Sequence, residues 1–175
     1  METSVFKYPK TDKRARRLTV VWFIMAAGLI ALTWYLWGEG GYVVAWAVSL
    51  IVALLALCAL SIPRNITVNE AALEIRCVVE ITRVQIPNLR SIRKVDKAEK
   101  KKIFPITAGH GFFGYYGYYL DRRNGEPVKL YCSEWDNFVE ITDIFEKRIY
   151  VNCEDIDGLI DAVRRASTYY IGPTK

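Results

Sequence analysis

The feature of this sequence that comes nearest to a known chemical motif is a glycine-rich segment, AGHGFFGYYGYYL, at positions 108–120. Gly109, Gly111 and Gly114 reproduce the G-x-G-x-x-G spacing of a loop that cradles a nucleotide phosphate. Such a loop must follow a strand and open a helix, so that the helix N-terminus meets the phosphate. Here a further glycine and an Asn-Gly hairpin signal at 124–125 follow instead. We therefore interpret the glycines as shaping the backbone, and the rings as either domain core or a contact surface.

Other groups that could support catalysis or metal binding are sparse. His110 is the only histidine among the 175 residues, which excludes an H-E-x-x-H motif and a site built on two histidines. The four cysteines, at positions 58, 77, 132 and 153, have no C-x-x-C spacing and are predicted to be free thiols. We expect neither an enzyme nor a cofactor or metal site.

Two stretches without charged residues, 18–37 and 42–62, precede the glycine-rich segment and hold 20 and 21 residues. At a rise of about 1.5 Å per residue, each would cross the roughly 30 Å of a bilayer core as a helix. Only the residues GEGG separate them, so a membrane-spanning hairpin is predicted. A cleaved signal peptide fits less well, because the bulky residues WYLW stand where a cleavage site would need small ones.

The charges flanking the two stretches predict an orientation. Residues 1–17 carry six Lys or Arg against two acidic residues, a net charge of +4, whereas the hairpin loop carries only Glu39. The positive-inside rule then places both termini in the cytoplasm. We expect a multi-pass protein of the cytoplasmic (inner) membrane, with residues 1–17 as a basic cytoplasmic tail.

Residues 64–168 are predicted to form a mainly-β domain of the α+β class, followed by a tail at 169–175. Apolar residues at helical spacing predict one amphipathic helix at 154–168, with Asn152 as its N-cap. Short alternating runs predict strands, and the Asn-Gly pair at 124–125 predicts a hairpin between two of them. The predicted strands are 64–68, 73–76, 79–86, 90–95, 118–122, 128–132, 139–144 and 148–151.

About seven strands in a meander, closed by one C-terminal helix, are typical of a pleckstrin-homology (PH)-like antiparallel barrel. The segments ITVNEAALEIR (66–76), IPNLRSIRKVD (86–96), GHGFFGYYGYYL (109–120) and VNCEDIDGLIDAVRRA (151–166) fit this pattern. With the paired spans, the chain resembles the bacterial PH-domain-containing membrane proteins, in which two N-terminal transmembrane helices precede a PH-like domain. The resemblance implies a PH-like fold at the membrane, with lipid binding, peptide binding or self-assembly as its functions.

A basic run at 83–102 carries eight Lys or Arg against two acidic residues, a net charge of +6. This run is either a solvated charge cluster or a surface for the anionic inner leaflet, where each basic residue contributes about 1 kcal/mol within a Debye length. Nucleic-acid binding is not expected, because no nucleic-acid motif is present. The candidate residues for binding a lipid or a partner are Arg90, Arg93, Lys94, Lys97, Lys100, Lys101, Lys102, Phe112, Phe113, Tyr115 and Tyr116.

The sequence therefore predicts a membrane-anchored binding or scaffold module. Its expected partners are anionic phospholipid headgroups, another protein, or further copies of itself as a homo-oligomer. The alternative is an auxiliary subunit of a larger membrane complex, such as a transporter or an envelope machine.

Overall fold

The computed structural model describes residues 3–60 and 62–170, which form a helical hairpin and a mostly-β domain with a C-terminal helix. The first strand, β1, covers Ser4–Lys7, and the hairpin consists of α1 (Lys13–Gly38) and α2 (Tyr42–Ala59). The remaining elements are β2 (Pro63–Val68), β3 (Ala72–Cys77), β4 (Ile81–Gln85), a 3₁₀ turn (Ile86–Asn88), β5 (Leu89–Lys94), α3 (Lys97–Lys100), β6 (Ile103–His110), β7 (Tyr115–Asp121), β8 (Glu126–Cys132), β9 (Val139–Asp143), β10 (Arg148–Val151) and α4 (Ile156–Tyr170).

The α1 helix is long and apolar enough to cross a membrane, and it is the one helix in the described part of the chain that meets both criteria. Its 26 residues extend for about 39 Å. The 18 residues of α2 are uncharged and pack beside α1, with the Trp37 ring 5.3 Å from Tyr42 and 6.5 Å from Trp46. The predicted second span of 42–62 is therefore helical only as far as Ala59.

A four-stranded antiparallel sheet has the order β1-β2-β3-β4. Its edge strand β1 pairs with β2 so that Ser4 lies opposite Val68 and Lys7 opposite Asn65. The side chains of Phe6 and Tyr8 pack against the core between the sheets. The N-terminal segment that was expected to be a tail is thus part of the β domain, because its alternating pattern directs an aromatic ring inward.

A six-stranded sheet has the order β5-β9-β10-β8-β7-β6. Its β8 and β10 strands run parallel, with Tyr131 beside Val151, because β10 enters between β9 and β8. The expectation of a purely antiparallel meander is therefore wrong for this pair, and the described residues form ten strands in two sheets rather than about seven in one barrel. The hairpin at 124–125 is confirmed, but with four residues, 122–125, between Asp121 and Glu126.

The main core lies between the two sheets and is closed by α4, whose Leu159 and Val163 are fully buried. The predicted helix is confirmed, starting two residues later than expected. The Asp155 carboxylate caps it by accepting the N–H of Gly158 at 2.8 Å. Asn152 is fully buried instead and accepts the N–H of Ser133 at 3.0 Å, so its role as N-cap is wrong.

Candidate functional site

The glycine/aromatic segment folds as the end of β6, a loop at 111–114 that we call the docking loop, and the start of β7. Tyr115 and Tyr116 are buried on opposite faces of the six-stranded sheet, in the two separate apolar clusters of the domain. Phe112 is half-buried and Phe113 is 43% exposed. The four candidate rings therefore divide into two core tyrosines and two surface phenylalanines.

The docking loop is hydrogen-bonded to the first half of α1. The hydroxyl of Thr19, a buried residue, accepts the backbone N–H of Phe113 at 2.9 Å. The same hydroxyl donates to the carbonyls of Ala15 at 2.8 Å and Gly111 at 3.0 Å, which share its single proton. One threonine side chain thus joins the helix to two backbone groups of the loop.

Aromatic contacts extend this attachment by one helical turn. The Phe112 ring lies 6.2 Å from Trp22 and 6.0 Å from Phe23, and the Phe113 ring meets Phe23 edge-on at 6.0 Å. Pairs of this geometry contribute about 0.5–1.5 kcal/mol beyond the area that they bury. Phe112 and Phe113 therefore bury part of their surface against α1 of the same chain.

Two glycines allow this close approach. Gly111 has a φ of +83°, and a Cβ at this position would overlap the Leu18 side chain of α1. Gly114 has a φ of +147°, and its Cβ would lie 2.6 Å from the carbonyl oxygen of Cys132. At both positions a side chain is disfavoured for two reasons: the backbone has a positive φ, and a neighbouring group occupies the space of a Cβ.

Asp12 fixes the start of α1 against the β domain. Its carboxylate accepts the backbone N–H of Ala15 at 2.6 Å, which caps the helix. It also accepts the backbone N–H of Trp135 at 3.2 Å. The Tyr115 hydroxyl donates to it at 3.1 Å. Burial and this neighbouring carboxylate raise the pKa of Tyr115. Asp12 is a residue that sequence reasoning missed, although an aspartate before a helical run is an N-cap signal.

Beside this cap, His110 lies in an aromatic cluster. Its ring is 5.0 Å from Tyr115 and 5.5 Å from Trp135, and its Nδ1 is 3.3 Å from the Tyr119 hydroxyl. Burial, with the nearby Arg14 guanidinium, lowers the pKa of His110 below 6.5. Within the described ranges, no group of three or more His, Cys, Asp or Glu side chains is arranged to hold a metal ion. The cluster is a packed junction between helix and sheet.

An apolar cavity of about 400 Å³ lies where the hairpin meets the β domain. Its walls come from α1, α2 and the end of β6, and include Trp22, Ala26, Val52, Ala56 and Gly109. These groups offer hydrocarbon contacts and no charged partner, so the cavity suits an acyl chain or another apolar group and not a polar ligand.

The basic run is not one solvated patch. Lys100 is 7% exposed, pairs with the Asp136 carboxylate and lies over the Phe138 ring at 5.7 Å. Arg93 pairs with Glu140 at 2.8 Å. Arg90 pairs on the surface with Glu146 at 2.9 Å. Lys94, Lys101 and Lys102 are exposed, and no ion pair involves them within the described residues; the side chain of Lys97 lies outside those residues.

The docking loop and the last residues of the basic run, Lys101 and Lys102, lie at opposite ends of β6. His110 pairs with Tyr115 beside the loop, whereas Ile103, which directly follows Lys102, pairs with Asp121. At about 3.3 Å per residue, β6 separates these two ends by roughly 23 Å. The residues that the sequence analysis grouped as one candidate surface therefore belong to two surfaces.

A second charge network, which sequence reasoning missed, crosses one face of the six-stranded sheet. Asp121 is fully buried between Arg123 at 2.6 Å and Arg148 at 2.9 Å. Burial raises the pKa of Asp121, but these two guanidinium groups outweigh it and lower the pKa below its usual range. The Tyr150 hydroxyl links the network to Glu140 at 2.9 Å. The sequence signal that could have predicted this network is the presence of charged residues within otherwise apolar strands.

Searches against protein-family models, curated proteins and solved structures find no match to this chain.

Proposed function

We propose that this chain is a membrane-anchored binding or scaffold module whose β domain has a PH-like fold. In this proposal α1 and α2 cross the bilayer as a two-span hairpin, and both termini lie on the cytoplasmic side of the inner membrane. The β domain then rests on the inner leaflet, held there by both ends of the hairpin. The mostly-β domain and its C-terminal helix, which closes the core between the sheets, support a PH-like fold.

The observation that carries this proposal is the contact between the segment preceding α1 and the domain following α2. Trp135 donates to Asp12, the Ser133 hydroxyl donates to the Pro9 carbonyl at 2.7 Å, and β1 pairs with β2. These contacts support an arrangement in which both outer ends of the hairpin lie on one side of the membrane. If α1 crosses, α2 must therefore return, even though α2 is the shorter helix.

The charges at the start of α1 support the orientation. Lys13, Arg14, Arg16 and Arg17 lie in its first turns and are exposed. Cations are unfavourable at a helix N-terminus, because the helix dipole is positive there. An anionic leaflet offsets this cost at about 1 kcal/mol for each basic residue near its surface.

The far end of the six-stranded sheet is the surface that we assign to a protein partner. Lys101 and Lys102 are exposed there, and about 23 Å of β6 separates them from the docking loop. This distance exceeds the Debye length of about 8–10 Å, so the leaflet beside the docking loop would attract these lysines little. An acidic protein surface is therefore the preferred occupant, ahead of lipid and ahead of a second copy.

Topology is tested by labelling single cysteines in intact cells of a bacterial host. With Cys58→Ala as background, Gly40→Cys probes the hairpin turn and Lys147→Cys an exposed turn of the β domain. We expect an impermeant maleimide to label position 40 in intact cells and position 147 only after permeabilisation. Labelling at position 147 in intact cells would contradict the proposed orientation.

The partner class is tested by light scattering of the full chain in mild detergent. We expect a monomer, because Lys101 and Lys102 repel the same lysines on a second copy. A homo-oligomer that the double change Lys101→Glu and Lys102→Glu dissociates would reject a separate acidic partner and identify a second copy as the occupant.

A further inference from the structure

We infer that the β domain inserts an apolar edge of its own into the inner-leaflet interface, formed by the docking loop and by Val78 and Val79 of the β3–β4 turn. This inference rests on the proposed membrane anchoring. It adds a second kind of membrane contact, in which parts of the domain itself enter the boundary between headgroups and acyl chains.

The length of α1 restricts the depth at which the docking loop can lie in the bilayer. A bilayer core of roughly 30 Å needs about 20 helical residues, and the charge-free part of α1, residues 18–37, has 20. The hydrocarbon boundary must therefore lie close to Leu18. The docking loop contacts α1 from Leu18 to Phe23, and the helical rise places Phe23 about 7.5 Å deeper than Leu18. This depth matches the 5–10 Å at which interfacial apolar groups insert.

The other helix gives the same result independently. The 18 residues of α2 extend for about 27 Å, so the bilayer core needs this helix to its last turn. Just beyond that turn, the Leu60 carbonyl accepts the N–H of Val79 at 3.2 Å, and the Ile62 carbonyl accepts the N–H of Val78 at 3.1 Å. The β3–β4 turn is thus tied to the point where the chain leaves the membrane.

The side chains at both contacts suit an apolar environment. Phe113 is 43% exposed, Val78 40% and Val79 68%, and the docking loop contains no charged residue. The one charged residue of the β3–β4 turn, Glu80, is neutralised by an ion pair with Lys129 at 2.8 Å. The basic residues of α1 precede Leu18 and so lie on the headgroup side of this edge. The edge therefore has the layered polarity of an interfacial anchor, with cations above and apolar groups below.

Another exposed phenylalanine of the domain provides a matched comparison. Phe145 is 75% exposed in the turn between β9 and β10. The docking loop lies by Cys132 at the end of β8, whereas this turn precedes β10, which runs parallel to β8. The two phenylalanines therefore lie at opposite ends of the same sheet, and only Phe113 is at the depth of the bilayer.

Depth-dependent quenching on the full chain tests the inference. Four single substitutions, Phe113→Cys, Val79→Cys, Phe145→Cys and Leu32→Cys, are made in a Cys58→Ala background, since Cys77, Cys132 and Cys153 are buried. Each variant is labelled with bimane and placed in nanodiscs of phosphatidylcholine and phosphatidylglycerol. Fluorescence is measured with acyl-chain-brominated lipid and, separately, with aqueous iodide.

We expect brominated lipid to quench the labels at positions 32, 79 and 113, and iodide to quench only the label at position 145. If iodide quenches positions 79 and 113 as strongly as position 145 while brominated lipid still quenches position 32, the edge lies in water and the inference is overturned. If brominated lipid fails to quench position 32, the proposed membrane anchoring fails, and the inference fails with it.

Discussion

The attachment of the docking loop to α1 depends on one hydroxyl group, which makes Thr19→Val a sharp perturbation. Valine keeps the shape of threonine but removes the acceptor for the Phe113 N–H and the donor to the Gly111 carbonyl. Leaving a buried polar group unpaired costs about 1–3 kcal/mol. We expect the free energy for opening the loop to fall by this amount.

Hydrogen exchange measures this opening directly. A loss of about 1–3 kcal/mol corresponds to roughly 5- to 150-fold faster exchange of the Phe113 amide, if exchange follows the opening equilibrium. The whole chain should also melt about 2–12 °C lower, at about 2–4 °C for each kcal/mol in a protein of this size. Both measurements are made on the full chain in detergent.

Thr33→Val is the matched control, because Thr33 lies on the same helix and donates at 2.9 Å only to the Leu29 carbonyl of that helix. Its removal leaves no partner outside α1, so we expect little change in exchange or melting. Equal effects of the two substitutions, or an unchanged Phe113 amide in Thr19→Val, would refute the role assigned to the Thr19 hydroxyl.

Three further predictions concern the docking loop, the basic run and the aromatic cluster. Gly111→Val should destabilise the chain by about 1–3 kcal/mol, seen in thermal melting, because its φ of +83° and the nearby α1 side chain exclude a Cβ. Lys100→Glu should cost about 1–3 kcal/mol, because it places a like charge beside the half-exposed Asp136, whereas the exposed Lys102→Glu should cost little; equal losses would contradict the buried pairing. The lowered pKa of His110 means that the unfolded chain binds this proton more readily, so stability should fall as pH drops from 6.5 toward the folded pKa, and His110→Phe should flatten that slope in pH-dependent melting.

The parts of the fold that the sequence predicted are those with long, regular patterns. Eight strands and α4 were recognised because their apolar spacing repeats over several residues and turn signals bound them. The β1 and β6 strands were missed for different reasons. The four residues of β1 stand among charged residues, and β6 contains Pro105 and Gly109, which lower strand propensity. β6 is an edge strand, where a proline costs less.

The candidate site was only partly predictable, because residue type does not reveal burial. The run that includes Lys100, Lys101 and Lys102 looks uniform in sequence, but α3 turns the first of these side chains inward to Asp136. Tyr115 and Phe113 likewise have similar ring sizes, yet the strand begins at Tyr115 and the loop ends just before it. Such distinctions depend on the register of β6 against β7, which local spacing alone does not give.

If the hairpin spans a membrane as proposed, the order of elements along the chain couples its topology to folding of the β domain. The strands β1 and β2 flank the helical hairpin, so the four-stranded sheet gains its edge strand only when both ends of the hairpin lie on the same side of the membrane. The same condition applies to the Asp12 cap, whose acceptor atoms meet Tyr115 and Trp135 from the far end of the chain. A hairpin inserted with one crossing would leave β2 unpaired on that edge, with its core-facing Ile66 exposed. In the proposed topology, completion of the sheet is therefore a structural readout of correct insertion, because β1 and β2 pair only after the hairpin has returned.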